Sequence, residues 1–167
     1  MIKAIVYTSN TGFTKRYAQM LGNEKGIPVY EFGKTKGNVN KEDEIIYMGW
    51  LMAGGIKNYK KAKNEYNVKA VCAIGMTRPS DRQYDEILKR HNIKENLFYL
   101  QGGFDKNKLK GLHKFMMNIL EKVIRPNIEK KENKNEEDIE MLEIMQNGKD
   151  CVKKENLAEL INWLDGM

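Results

Sequence analysis

Cysteine is scarce. Cys72 and Cys151 lie far apart and form no Cys-x-x-Cys pair, which excludes a disulfide framework or a zinc knuckle and makes a reduced, cytoplasmic location the expectation. His91 and His113 fall on separate helical stretches, so no metal site is expected. No apolar run reaches the ~18 residues of a membrane span, and no transmembrane segment is expected. The first residues read as a strand rather than a leader peptide. Gly-x-Gly-x-x-Gly is missing. Gly33-Lys34-Thr35 resembles the end of a nucleoside-triphosphate loop, but Pro28 stands where that loop needs its first glycine. No Ser-His-Asp or Cys-His arrangement is visible, so no catalytic side chain is assigned.

What is present is enough for one domain spanning residues 1–167, with 41% hydrophobic and 31% charged residues. The formal net charge of +6 is compatible with an acidic redox partner, contact with an anionic membrane surface, or nucleic acid. Its ordinary reading is solvated lysine, as on the helix carrying Lys57, Lys60, Lys61 and Lys63, and nucleic acid is not the expected partner.

Strand and helix signals alternate along the chain. Apolar runs at Ile2–Tyr7, Ile27–Phe32, Glu44–Gly49, Val68–Gly75 and Leu97–Leu100 read as strands. Helices are expected at Lys15–Leu21, Asn58–Tyr66, from Ser80 or Asp81 through His91, at Lys108–Ile124 ended by Pro126, at Ile139–Met145 stopped by Gly148, and along the stripe Leu157, Leu160, Ile161, Leu164. Residues 127–138 read as a charged, exposed excursion. Such alternation implies parallel βαβ units: an α/β, doubly wound, five-stranded parallel sheet, order 2-1-3-4-5, with helices on both faces.

In such a sheet ligands sit beyond the carboxyl ends of the strands. That gathers four connections: residues 8–14, 50–56, 76–80 and 101–105. The first, Thr8-Ser9-Asn10-Thr11-Gly12-Phe13-Thr14, has hydroxyls on four of its seven side chains and no lysine, which suits one terminal phosphate at a helix N-terminus. A hydroxyl-rich turn that merely caps a helix is the plainer reading. Trp50, Met52 and Met76 offer a flat ring apolar surface, beside Leu51 and Ala53, and Gly54-Gly55 permits close backbone approach. Thr77 and Arg78 complete the third loop. Gly102, Gly103, Phe104 and Asp105 complete the fourth. Trp50 reads equally as a rim or core residue, and Arg78-Pro79 equally as a plain turn.

Thr8-x-x-Thr11-Gly12-x-Thr14 after a first strand resembles the FMN phosphate loop of the flavodoxins. The stretch Tyr99 to Leu109, its Gly-x-Phe-Asp step before a Phe/Met-rich helix, and the ending Lys154-Glu155-Asn156-Leu157 with Leu160-Ile161-x-Trp163 resemble the flavodoxin-domain family that includes the menaquinone-dependent protoporphyrinogen dehydrogenase. The resemblance implies a flavodoxin-like fold, one noncovalent FMN, and electron transfer to a redox partner protein. Its alternative is an FMN oxidoreductase acting on a quinone, a protoporphyrinogen or a similar small planar substrate. It also implies that a peptide at Gly54 or its neighbour turns its carbonyl toward the reduced flavin's N5–H. The chain departs from the flavodoxin pattern in three ways. Ala53 stands where an aromatic is common, Trp50-Leu51 replaces a Ser/Cys-Pro pair, and the net charge is basic. A flavodoxin-fold module without cofactor is a third class, which loss of the loop hydroxyls would favour.

Overall fold

The computed structural model describes residues 1–109 and 111–167, without the side chains at positions 112, 113, 115, 116 and 120. The chain is an α/β protein built on a mostly parallel sheet. Its strands are β1 (Ala4–Thr8), β2 (Val29–Glu31), β3 (Glu44–Met52), β4 (Gly55–Ile56), β5 (Asn67–Gly75) and β6 (Asn96–Gln101). The path runs β2-β1-β3-β5-β6, all parallel, and β4 pairs antiparallel with β3 alone. The sheet therefore has six strands rather than the expected five. The extra one arises because β3 continues through Trp50-Leu51-Met52 and folds back, making a hairpin of residues expected to form a loop. The remaining five follow the expected order when β4 is set aside.

Each central strand is buried on both faces, as its near-continuous apolar run requires. Ile5, Ile46, Met48, Cys72, Ile74 and Leu100 face one core, with α1 (Phe13–Lys25) and α6 (Ala158–Asp165) supplying Tyr17, Leu21 and Leu160. Val6, Ile45, Tyr47, Val71, Ala73 and Leu97 face the other, with α2 (Tyr59–Glu65) and α3 (Asp81–His91) supplying Tyr59, Ala62 and Ile87. The period of two along each strand divides the cores. Local chemistry sets the helix ends. Gly26 closes α1 at φ 64°, and the Ser80 hydroxyl accepts the Gln83 N–H to start α3.

After β6 the chain adds a two-stranded pair, β7 (Gly103–Phe104) with β8 (Lys149–Asp150). Between them stand α4 (Gly111–Glu129) and α5 (Glu136–Asn147). Pro126 does not end α4. It sits inside the helix, which runs three residues further and whose Pro126 carbonyl accepts the Lys130 N–H at 3.1 Å. Proline forgoes the hydrogen bond back to residue 122 and crowds that carbonyl, but residues beyond it keep their donors, so a last turn still forms after it. Asn135 and Asp138 form a capping box at α5, and Gly148 closes it at φ 69°. The charged stretch 127–138 is therefore largely the end of one helix and the start of the next. The stripe positions Leu112, Met116 and Leu120 and the side chain of His113 lie outside the described residues. Among the described residues no helix is long and apolar enough to cross a membrane.

Candidate functional site

β1 and α1 meet at residues 9–12. Gly12 takes φ 97°, a left-handed conformation that only glycine adopts freely, and so turns the chain into the helix. Gly12 offers no side-chain cap, and the first turn of α1 carries no acidic residue. No side chain of the cap or the first turn thus offsets the partial positive charge of that helix N-terminus. Ser9 Oγ accepts the Gly12 N–H at 3.2 Å and shapes the turn.

Thr8 is held from behind. The Tyr47 hydroxyl gives its one proton to the Lys57 carbonyl at 2.6 Å, so across the 2.7 Å contact Thr8 Oγ1 must be the donor to Tyr47. Asn58 Nδ2 donates to Thr8 Oγ1 at 3.3 Å. Burial pushes the Tyr47 phenol far above its ordinary value, against the hydrogen bond from Thr8, so it stays protonated. Thr8 therefore pins the loop, and its other hydroxyl-bearing residues, Ser9, Thr11 and Thr14, line the space in front of it.

A cavity of about 290 Å³ opens in front of this loop. Ser9, Asn10, Thr11, Phe13 and Thr14 form its polar end, and Trp50, Leu51, Met52 and Ala53 from the hairpin form one wall. Ile74, Gly75 and Met76 form its floor, and Gly103, Phe104 and Leu109 a further side. Met117 and Ile124 of α4, with Met141 and Met145 of α5, roof it over. Sequence reasoning missed this roof. Its helices read as a long amphipathic helix and a short one with no part in the site, and the density of methionine in them was the available sign, since Met suits adaptable binding surfaces. A smaller cavity of about 240 Å³ shares Leu51, Ala53, Gly75, Met76 and Met141 with the first, and Gly54 and Thr77 line it.

The other expected site residues lie around the cavity rather than on it. Gly12 and Thr8 support the loop. Gly55 pairs with Met52 in the hairpin. Arg78 is exposed and pairs with Glu140 of α5 at 3.8 Å, turned away from the apolar space. Gly102 donates its N–H to the Gly75 carbonyl at 2.8 Å, and a Cβ there would stand 2.6 Å from the Ile74 side chain. Asp105 caps the short 3-10 turn at Lys106–Lys108 and faces a separate open groove.

Glu140 fastens the roof to the body. It accepts hydrogen bonds from Lys149 Nζ at 2.7 Å, Gln101 Nε2 at 3.0 Å and the Arg78 N–H at 3.3 Å. Burial raises its carboxyl pKa, but the Lys149, Arg78 and Gln101 donors outweigh that and hold it below the ordinary value.

The hairpin tip, Ala53-Gly54, has φ of 48° and 74°. Both positive values are what a two-residue turn between right-twisted strands needs, and at Ala53 they cost about 1–2 kcal/mol relative to a glycine. Arg90 Nη1 donates to the Ala53 carbonyl, and the Ile56 N–H donates to His91 Nε2 at 2.8 Å.

The chain matches no family model, no curated protein and no solved structure. What it does must therefore be argued from this geometry.

Proposed function

We propose that this protein binds one FMN noncovalently and acts in electron transfer, on a flavodoxin-like arrangement of the sheet. The observation that carries the reading is the union of two unlike surfaces in one cavity. A hydroxyl-rich loop before an uncapped helix N-terminus meets an apolar chamber lined by Trp50, Phe104 and several methionines. A phosphate at one end and a flat ring at the other match that division. The donor set fits the group. Ser9, Asn10, Thr11 and Thr14 would surround the phosphate together with the first amides of α1. Trp50, Met52, Met76 and Phe104 would enclose the ring and keep water from it. A cavity of about 290 Å³ is small for a dinucleotide and suited to one ring system. FMN, when bound, supplies one- and two-electron redox chemistry, and the protein supplies position and surroundings.

One observation favours the second reading, an FMN oxidoreductase with a small planar apolar substrate. The methionine roof encloses the ring site, and the smaller cavity beside it continues the same space. A carrier needs only an exposed ring edge, whereas a substrate needs room next to the ring.

The test is reconstitution with excess FMN, removal of free ligand, acid release and identification by mass, followed by reductive titration of the visible spectrum. One FMN per chain is expected. Binding of FAD in its place, or no retained flavin, overturns the proposal. Fast reduction or oxidation by a quinone or porphyrinogen without a protein partner selects the second reading.

A further inference from the structure

The β3–β4 hairpin forms one wall of the cavity, and two consecutive residues hold it from outside. Arg90 and His91 are the last residues of α3. The Arg90 guanidinium donates to the Ala53 carbonyl at the tip and lies against both glycines. A Cβ at Gly54 would stand 3.3 Å from Arg90 Nη1, and one at Gly55 3.5 Å from Arg90 Nε. One residue on, His91 Nε2 accepts the Ile56 N–H at 2.8 Å. An imidazole accepting at Nε2 carries its proton on Nδ1 and is neutral. A second proton would go to Nε2 itself, turning the acceptor into a donor that faces the Ile56 N–H.

We propose that Arg90 and His91 are positioning residues that dock the hairpin as the cavity wall, and that protonation of His91 undocks it and weakens binding of a flat ring ligand. The ligand half of this proposal rests on the flavin reading above.

The surroundings of His91 decide the direction of the response. α2 presents Tyr59, whose ring meets the imidazole edge-on at a centroid distance of 5.5 Å. The Tyr59 hydroxyl donates to Glu95 at 2.9 Å, and Lys63 pairs with Glu95 at 2.7 Å. Burial opposes ionisation of Glu95, but hydrogen bonds, that from Lys63 first, hold its carboxyl down to about 2, so it does not titrate in the same range. β4 brings only Gly55 and Ile56. On α3 itself the near charge is Arg90. Burial first, and then the Arg90 charge, lower the His91 pKa below its ordinary 6.5. An undocked His91 therefore takes up a proton at a pH where the docked one does not. Docking is at full strength above about pH 7.5 and weakens as pH falls through 6.5 toward the docked-state value, by at most about tenfold per pH unit.

The experiment measures two things in parallel. Proton–nitrogen spectra of the ligand-free protein follow the Ile56 amide and the His91 ring from pH 8 to 5. Dissociation constants for FMN and riboflavin are measured over the same range. Riboflavin is included because the FMN phosphate itself titrates near pH 6, whereas riboflavin has none. The expected result is that Ile56 shifts with the His91 titration, at an apparent pKa below 6.5, and that riboflavin affinity is flat above about pH 7.5 and falls as pH drops through 6.5. In His91→Gln the amide oxygen accepts from Ile56 at every pH, so the affinity is kept and the acid loss disappears. In Arg90→Ala the affinity is lower throughout with the acid loss retained.

Titration of His91 without movement of Ile56, or riboflavin binding with the same acid profile in wild type and His91→Gln, overturns the proposal. Coupling of Ile56 to His91 without binding of either flavin overturns the flavin reading and leaves the tether standing.

Discussion

Replacing Tyr47 by Phe tests the argument that the turn after β1 hangs on one buried phenol. Tyr47 is fully buried, and its hydroxyl joins the Lys57 carbonyl at 2.6 Å to Thr8 Oγ1 at 2.7 Å. Phenylalanine fills the same space but leaves a carbonyl without its donor and a threonine without its acceptor. Unmet buried groups of this kind cost about 1–3 kcal/mol. For a chain of this size that corresponds to a fall in Tm of about 2–12 °C. Thr8→Val should cost less, about 0.5–1 kcal/mol, because Tyr47 keeps its bond to Lys57 and the half-buried Asn58 amide can turn to water. The two losses should not add. Once the phenol is gone Thr8 has lost its acceptor, and a coupling of about 0.5–1.5 kcal/mol is expected from the double-mutant cycle. Urea denaturation of the two single variants and the double variant measures all three quantities, and FMN titration of the same samples measures the loop. Tyr47→Phe within 0.5 kcal/mol of wild type would refute the bridge. Thr8→Val weakening FMN as much as Thr14→Ala would refute the separation of the pinning hydroxyl from those that face the cavity.

Thr11→Ala and Thr14→Ala should each raise the FMN dissociation constant roughly tenfold or more, from the loss of a charge-assisted bond of about 1.5–3 kcal/mol. Thr35→Ala, which loses a buried hydroxyl contact with Tyr66, should lower stability and leave FMN affinity unchanged in the same titration. Glu140→Gln at pH 7 should loosen the roof, read as faster amide exchange along α5 with the central strands unaffected. Because the Glu140 pKa is depressed in the folded chain, its contribution is full above the ordinary carboxylate value of 4.5 and is lost as pH falls through the folded one, so wild type at low pH should come to match the variant. Bound FMN should protect Met52, Met76, Met117, Met141 and Met145 from peroxide, measured by peptide mass, while exposed Met1 oxidises at the same rate with and without it.

The parallel strands were legible because their apolar runs are short, β-branched and buried on both faces, as at Val68–Gly75. The turn at residues 9–12 was legible because Gly12 and the hydroxyls flank it. The hairpin was not. Gly54-Gly55 hides a turn whose left-handed residues are Ala53 and Gly54, and alanine gives no sign of positive φ. The α4 boundary was misplaced because Pro126 sits in the last turns of the helix, where the chain tolerates its lost hydrogen bond and continues to Glu129. Tyr47 read only as part of the strand run Glu44–Gly49, and its role in holding Thr8 depends on Lys57, a partner visible only after folding. The roof was illegible for a similar reason: Met117 and Met145 have helical spacing whichever surface they cover.

The pairing of β7 with β8 has a consequence for how such a chain can change. Gly103 lies opposite Asp150, and Phe104 opposite Lys149, in a two-stranded sheet of their own, so the chain departs after β6 and comes back beside its point of departure. Everything between, residues 105–148, is a closed detour hinged on a two-rung ladder. Closing such a detour costs entropy that grows only with the logarithm of its length, about 0.6 kcal/mol per doubling. No parallel ladder includes any residue of this stretch, so insertions, deletions or exchange there should leave the strand registers unchanged. The segment is thus a cassette. A chain in which a short turn replaces 105–148 should keep the far-ultraviolet circular dichroism of the sheet and surrender the chamber. On this scaffold the roof of the chamber and the turn at residues 9–12 are set by separate stretches of chain.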